Sequence, residues 1–348
     1  MVDLETLKIE TTDNVDDVNV FLYREGLTDG LPIVPPTPGR VAAMLGNRDA
    51  AAILTTLPPL RGRATMHKLA ICAVMAGCQP TYFPIVLAAT AAVAQPEFNL
   101  FGIQTTTGTA TPLIIVNGPV VHECSLNAGA NALGPGVQSN ATIGRALGLI
   151  LRNIGGAIPG HTDKATMGQP GKYTFCCAEN EAANPWEPLH VSRGYPPGQS
   201  TVTVVGAAGT VEVVDATSQN ADSLLTTLAY SMTIAGTLGG EHFLGGGEPL
   251  VLLAPEHAAI ISRDYTRRQA QEVLCAKARL PLSMLAPEAA AHVQQSRGAS
   301  ANLQPDVGVA AHPEDILLVV VGAVGAKSTY VPTWGGTTRA VTRVIDLC

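Results

Sequence analysis

The chain has 348 residues and a formal net charge of −7; apolar residues make up 46% of it and charged ones only 14%. That is enough apolar material for one large domain or two ordinary ones, and so charge-poor a surface predicts a homo-oligomer or a partner that covers part of it. No basic cluster is interleaved with aromatics, which argues against nucleic acid, and no apolar run approaches the ~18 residues of a membrane span.

The first residues, MVDLETLKIETTDNVDD, are acidic and polar where a signal peptide needs a basic start and an apolar core. Seven cysteines, odd in number and irregularly spaced, suit a reducing cytoplasm, which is the expected location. Residues 14–26 read as a short amphipathic helix with Val18, Phe21 and Leu22 on its apolar side. The prolines of TDGLPIVPPT (28–37) force an extended segment, after which Thr37 can cap a helix that has Pro38 at its first position. A helix is predicted from Thr65, and an alanine-rich one over 81–95. Residues 103–107 and 113–116 read as buried strands separated by the turn GTATP. The Gly-, Asn- and Pro-rich stretch that follows is too polar in its backbone to be buried without partners.

Asn140 is the expected cap of a helix over 141–154, whose Ile143, Leu147, Ile150 and Ile154 form a core stripe. Another face of it carries Gly144, Arg145, Gly148, Arg152 and Gly155. Residues 201–206 and 210–215 read as paired strands, and 219–236 as a long helix. The last third reads β-α-α-β: a strand at 250–253, helices opened by Pro255 and Thr266, and a strand at 316–322. His67, His257 and His292 read as surface or capping residues. The whole predicts an α/β fold, mixed sheets with packed helices in two α/β lobes. These would be residues 1–238, carrying the site, and 239–348, with the Gly-rich patch 238–249 as their boundary.

Most of the chemically capable side chains fall in 171–190, GKYTFCCAENEAANPWEPLH. Tyr173 to Cys177 has strand character, and Pro185 and Pro188 forbid regular structure afterwards. The carboxylates therefore sit on an irregular segment leaving a strand end, where α/β proteins usually place their sites. Cys176 or Cys177 can serve as nucleophile, and at most one faces the site, because neighbours on a strand point to opposite faces. Glu179 or Glu181 can move protons, with Trp186 raising a carboxylate pKa by desolvation. Asn117, Asn127, Asn131, Asn140, Arg145 and Lys172 would hold a small anion near the start of the 141–154 helix. The reading is an enzyme acting on a small anionic organic substrate, its net reaction (redox, lyase or hydrolytic) left open. GxGxxG after a strand and GxxxxGK[ST] are both missing, which rejects a dinucleotide or P-loop site and leaves any cofactor unassigned. The alternative is a metal-dependent lyase or hydrolase built on His122, Glu123 and Cys124 with His190 or other distant ligands.

The blocks TDGLPIVPPT, AVMAGCQPTYFPIVLAA, NATIGRALGLILRNIGG, GKYTFCCAENEAANPWEPLH and VLLAPEHAAII, spread over roughly residues 20–345, resemble a bacterial family. Its members are associated with the UGSC-type selenoproteins, named for a Sec-Gly-Ser-Cys motif. The redox chemistry that the resemblance implies rests on that motif, and this chain has no CGSC. A third reading is therefore a non-catalytic scaffold that presents a surface to a UGSC-type redox partner.

Overall fold

The computed structural model describes residues 14–234, 247–297, 305–335 and 337–346. In chain order its strands are β1 (Ile53–Leu57), β2 (Gly62–Thr65), β3 (Thr111–Asn117), β4 (Cys176–Ala178), β5 (Thr201–Ala207), β6 (Val211–Val214), β7 (Leu250–Leu253), β8 (Arg279–Pro281), β9 (Asp306–Gly308), β10 (Leu317–Val320), β11 (Lys327–Val331) and β12 (Val341–Val344). Two pairs, β1-β2 and β8-β9, stand alone; the rest form two four-stranded sheets, ordered β12-β5-β3-β4 and β10-β7-β11-β6. In the first, β3 runs parallel to β4 and antiparallel to β5. In the second, β7 and β10 are parallel, and β11 is antiparallel to β7 and β6.

Alternation along the strands fixes the layers. Leu113, Ile115, Cys177 and Val205 of the first sheet pack against Leu250, Leu252, Leu317 and Val319 of the second. Ile114, Val116, Cys176 and Ala178 turn the other way, onto the helices Met66–Ala76, Phe83–Val93 and Gln138–Ile150. On the far side, Val251, Leu253, Leu318 and Val320 meet the helices Ala221–Met232, Pro255–Ser262 and Arg267–Lys277. The α/β fold is thus four layers, helix-sheet-sheet-helix. Every residue of β3 and β5 is buried, which is why both read as continuous apolar runs. Each fully buried Leu or Ile there contributes about 1.5–3 kcal/mol.

Several expectations change. Residues 103–107 form no strand: Leu100–Thr105 is a helix, started by Asn99, which sits at φ 51° and accepts a hydrogen bond from the Gly102 N–H. A short apolar run cannot tell the two apart by pattern alone. The strands β5 and β6 exist but do not pair with each other, because the chain crosses between sheets after Ala208, whose N–H donates to the Pro332 carbonyl. For the same reason the strand pairing does not divide at 238/239. The strand β6 lies with the later strands, and β12 returns to β5. Of the patch named as boundary, residues 238–246 lie outside the described residues.

The helix Gln138–Ile150 carries the expected stripe, and Ile143, Leu147, Ile150 and Ile154 are all buried. A Cβ on Gly144 would lie 2.4 Å from Thr174 Oγ1 and 2.6 Å from the Phe175 nitrogen, so the glycine lets the helix seat against the approach to β4. The helix runs on into a π-helical turn, Leu151–Gly155, ended by Gly156 at φ 82°. Among the described residues no single helix is long and apolar enough to cross a membrane.

Candidate functional site

The strands β3 and β4 end side by side, at Asn117 and Ala178. The ladder runs one residue further, the Glu179 N–H donating to the Val116 carbonyl. Asn180 then ties this exit to the second sheet: its N–H donates to the Val320 carbonyl at 2.8 Å and its Nδ2 to the Gly322 carbonyl at 3.0 Å. The C-terminal ends of β3, β4 and β10 thus converge, the edge of an α/β protein at which ligands usually bind. Asn184 Oδ1 accepts from the Trp186 N–H at 3.0 Å, turning the chain, and the short helix Leu189–Ser192 carries it across to β5.

Glu179 is 1% exposed and its carboxylate takes three N–H bonds. Asn184 Nδ2 donates to Oε1 at 2.7 Å, while Asn117 Nδ2 and the Leu189 N–H donate to Oε2 at 2.6 and 2.7 Å. The same Asn117 Nδ2 donates to Glu181 Oε1 at 2.8 Å, and the Gly118 N–H donates to that oxygen at 2.8 Å. One amide therefore bridges the two carboxylates. Glu181 Oε2 accepts no hydrogen bond among the described residues, and the side chain is 32% exposed. His190, 1% exposed, places Nδ1 3.8 Å from Glu181 Oε1. Arg267, buried at the start of its helix, donates to the Leu318 carbonyl at 3.1 Å and to the Glu187 carbonyl. It stands 6.0 Å from the centre of the Trp186 ring.

Burial pushes the Glu179 carboxyl up, against the N–H donors of Asn117 and Leu189 and the charge of Arg267; the Glu181 charge adds to the rise. Burial pushes the His190 imidazole down, against the nearby Glu181 charge and the Pro196 carbonyl, so at neutral pH the ring is uncharged. Seven buried polar side-chain atoms among the described residues have no well-formed hydrogen bond, and five belong here: Asn117 Oδ1, both His190 nitrogens, Arg267 Nε and Thr201 Oγ1. Thr201 stands opposite Asn117 in the β3–β5 register. Buried atoms left so are rare and concentrate where a protein does chemistry or holds water.

No family model, curated protein or solved structure matches the chain. What the site can do rests on its own residues.

Several candidates from the sequence fall elsewhere. Cys176 faces the helical core and Cys177 the layer between the sheets. Burial pushes both thiols up, Cys177 to about 12 and Cys176 well above the usual value, so neither offers a thiolate at neutral pH. Arg145 is taken by a protein carboxylate: Nε and Nη2 grip Asp29 at 2.7 and 2.8 Å, and Nη2 also donates to the Pro32 carbonyl. Burial would raise the Asp29 carboxyl, but the hydrogen bond and charge of Arg145 hold it below the usual value. Arg145 shares no hydrogen-bond partner with Glu179 or Glu181; of the residues expected to hold an anion, Asn117 is the one that meets both carboxylates.

Asn127, Asn131 and Asn140 brace their own loop. Asn127 bonds the Gly129 N–H and the Ala130 carbonyl, and Asn131 the Pro135 carbonyl. Asn140, inside its helix and not at the cap, bonds Asn127 through both backbone groups and reaches the Cys176 carbonyl. Lys172 pairs with Asp163 at 2.6 Å, before the start of β4. Trp186 gives Nε1 to the Tyr265 carbonyl at 3.2 Å and packs by Arg267. For the metal alternative, His122 and Glu123 are exposed whereas Cys124 turns inward to the Thr81 carbonyl. Among the described residues no three His, Cys, Asp or Glu side chains gather as ligands. His257 is buried and not a surface residue, holding Ser328 Oγ at 2.7 Å and the Asp215 carbonyl at 3.0 Å.

Sequence reasoning missed Arg267. The signal was there: a guanidinium at the first position of a helix capped by Thr266 and Gln269, where the helix dipole disfavours a cation.

Proposed function

We propose that the protein is an enzyme that moves a proton on a small polar organic molecule, with Glu181 as the group that carries it. The observation behind this is the asymmetry of that carboxylate. One oxygen is pinned by the Asn117 amide and the Gly118 N–H, while the other is free and the side chain reaches solvent. A general base needs a fixed position and an open lone pair. His190, neutral and buried 3.8 Å behind it, can accept the proton after a small movement. Glu179 touches no solvent; its part is to hold Asn117, and through Asn117 the angle of Glu181. Lyase, hydrolytic and isomerisation steps all share this requirement. Thiol chemistry does not fit two cysteines sealed in opposite cores.

The test is to incubate the full-length protein with a metabolite extract in deuterated water and follow consumption and deuterium uptake by mass spectrometry. Glu181→Gln is expected to lower the turnover by about 10²–10⁴, the usual contribution of a general acid or base, with the melting temperature nearly unchanged. A Glu181→Gln protein that works at the wild-type rate rejects the proposal.

A further inference from the structure

A cavity of about 650 Å³ opens at the other end of β3 and β4, between the helix Leu100–Thr105, the π-helical turn Leu151–Gly155 and the segment 157–173. Its volume falls within the roughly 300–1,000 Å³ of small-molecule sites. Turns of π-helix recur at functional sites, and this one contributes Leu151 and Arg152 to the wall.

Two features of the wall specify an occupant. The first is Gln104, 5% exposed, whose Nε2 donates to the Pro58 carbonyl at 2.5 Å. That bond fixes which way the amide points, and it leaves Oε1 buried without a donor. The second is charge. Of the charged side chains in the wall, Lys172 is matched by Asp163, and Asp29 by Arg145 from outside. Arg152 gives Nε and Nη2 to the Gly26 carbonyl, at 3.2 and 3.1 Å, and meets no carboxylate among the described residues. One positive charge is therefore left over. Much of the remaining wall is apolar, with Ile103, Leu151, Met167 and the Tyr173 ring.

We infer that this cavity binds a small organic acid with an apolar body, its carboxylate against Arg152 and a hydroxyl or amide N–H against Gln104. The site is separate from Glu181, and the inference does not depend on the proton chemistry proposed there.

Three probes separate the contacts: 3-phenyllactate, 3-phenylpropanoate without the hydroxyl, and 3-phenyllactamide without the charge. Calorimetric titration of the full-length protein should show phenyllactate binding most tightly, with phenylpropanoate about fivefold weaker and the amide about tenfold weaker. Gln104→Met should erase the preference for the hydroxyl and keep that for the charge. Arg152→Met should do the reverse. Ala165→Trp, a bulky side chain on the cavity wall, should remove binding of all three. The inference is overturned if phenyllactate fails to bind at roughly 10 mM, tenfold above a weak 1 mM complex. It is equally overturned if both preferences survive Gln104→Met and Arg152→Met.

Discussion

At the C-terminal end of β3 and β4, two carboxylates, an asparagine, an imidazole and a guanidinium share a space closed by the second sheet. At the N-terminal end, Lys172 and Asp163 pair beside an open cavity. Both ends hold charge, but Glu179, His190 and Arg267 are buried at the first, whereas the Lys172–Asp163 pair at the second lines the cavity. A group that loses its partner at the closed end keeps its full desolvation cost, whereas at the open end solvent can take the partner's place. The same pairing chemistry is therefore expected to carry very different weight at the two ends.

The largest effect should come from Arg267→Met. It strips the Leu318 and Glu187 carbonyls of a donor and leaves Glu179 buried without its countercharge. A loss of about 3–5 kcal/mol is expected from denaturant unfolding. Lys172→Met at the open end should cost under about 1 kcal/mol. Equal losses would break the contrast.

A smaller loss, about 1–3 kcal/mol, should follow Glu179→Gln, because the new amide must turn a donor toward the donors of Asn117, Asn184 or Leu189. This variant also sharpens the comparison through pH. Glu179 faces Arg267 and Glu181, and its folded pKa is raised above the usual 4.5. The fold thus binds this proton more tightly than the unfolded chain does. The associated stability is fully present below pH 4.5 and is lost as the pH rises through the folded value. Melting curves from pH 4 upward should show that component in the wild type and not in Glu179→Gln.

The smallest effects belong to the thiols. Cys176→Ala and Cys177→Ala should each cost about 1 kcal/mol in thermal melts and leave Glu181-dependent turnover unchanged. Loss of turnover in either, with the fold intact, would return the chemistry to the cysteines.

What the sequence made legible follows the range of the interactions. The strand expected at 113–116, which extends over 111–117, and the buried stripe Ile143, Leu147, Ile150, Ile154 depend on residues a few positions apart, and both are present. So was the exit of Glu179 and Glu181 from a strand end. That Cys176 and Cys177 point to opposite faces was legible too. That both faces are core was not, because one is covered by strands from the last hundred residues. Arg145 was expected to hold a substrate anion, and the anion it holds is the protein's own Asp29, 116 residues earlier in the chain. The Gln104 cavity is assembled from segments near 29, 103–112 and 148–173, and no local pattern joins them.

The return of β12 to the first sheet bears on how the protein is made. Thr342 meets Thr203 across 139 positions of sequence, so a growing chain exposes the outer edge of β5 until residues 341–344 have emerged. Such an edge is a template for any passing strand, and pairings this distant close slowly. Ribosome-bound intermediates that lack β12 should therefore depend on chaperones, and an internal deletion of 341–346 should drive the protein into aggregates.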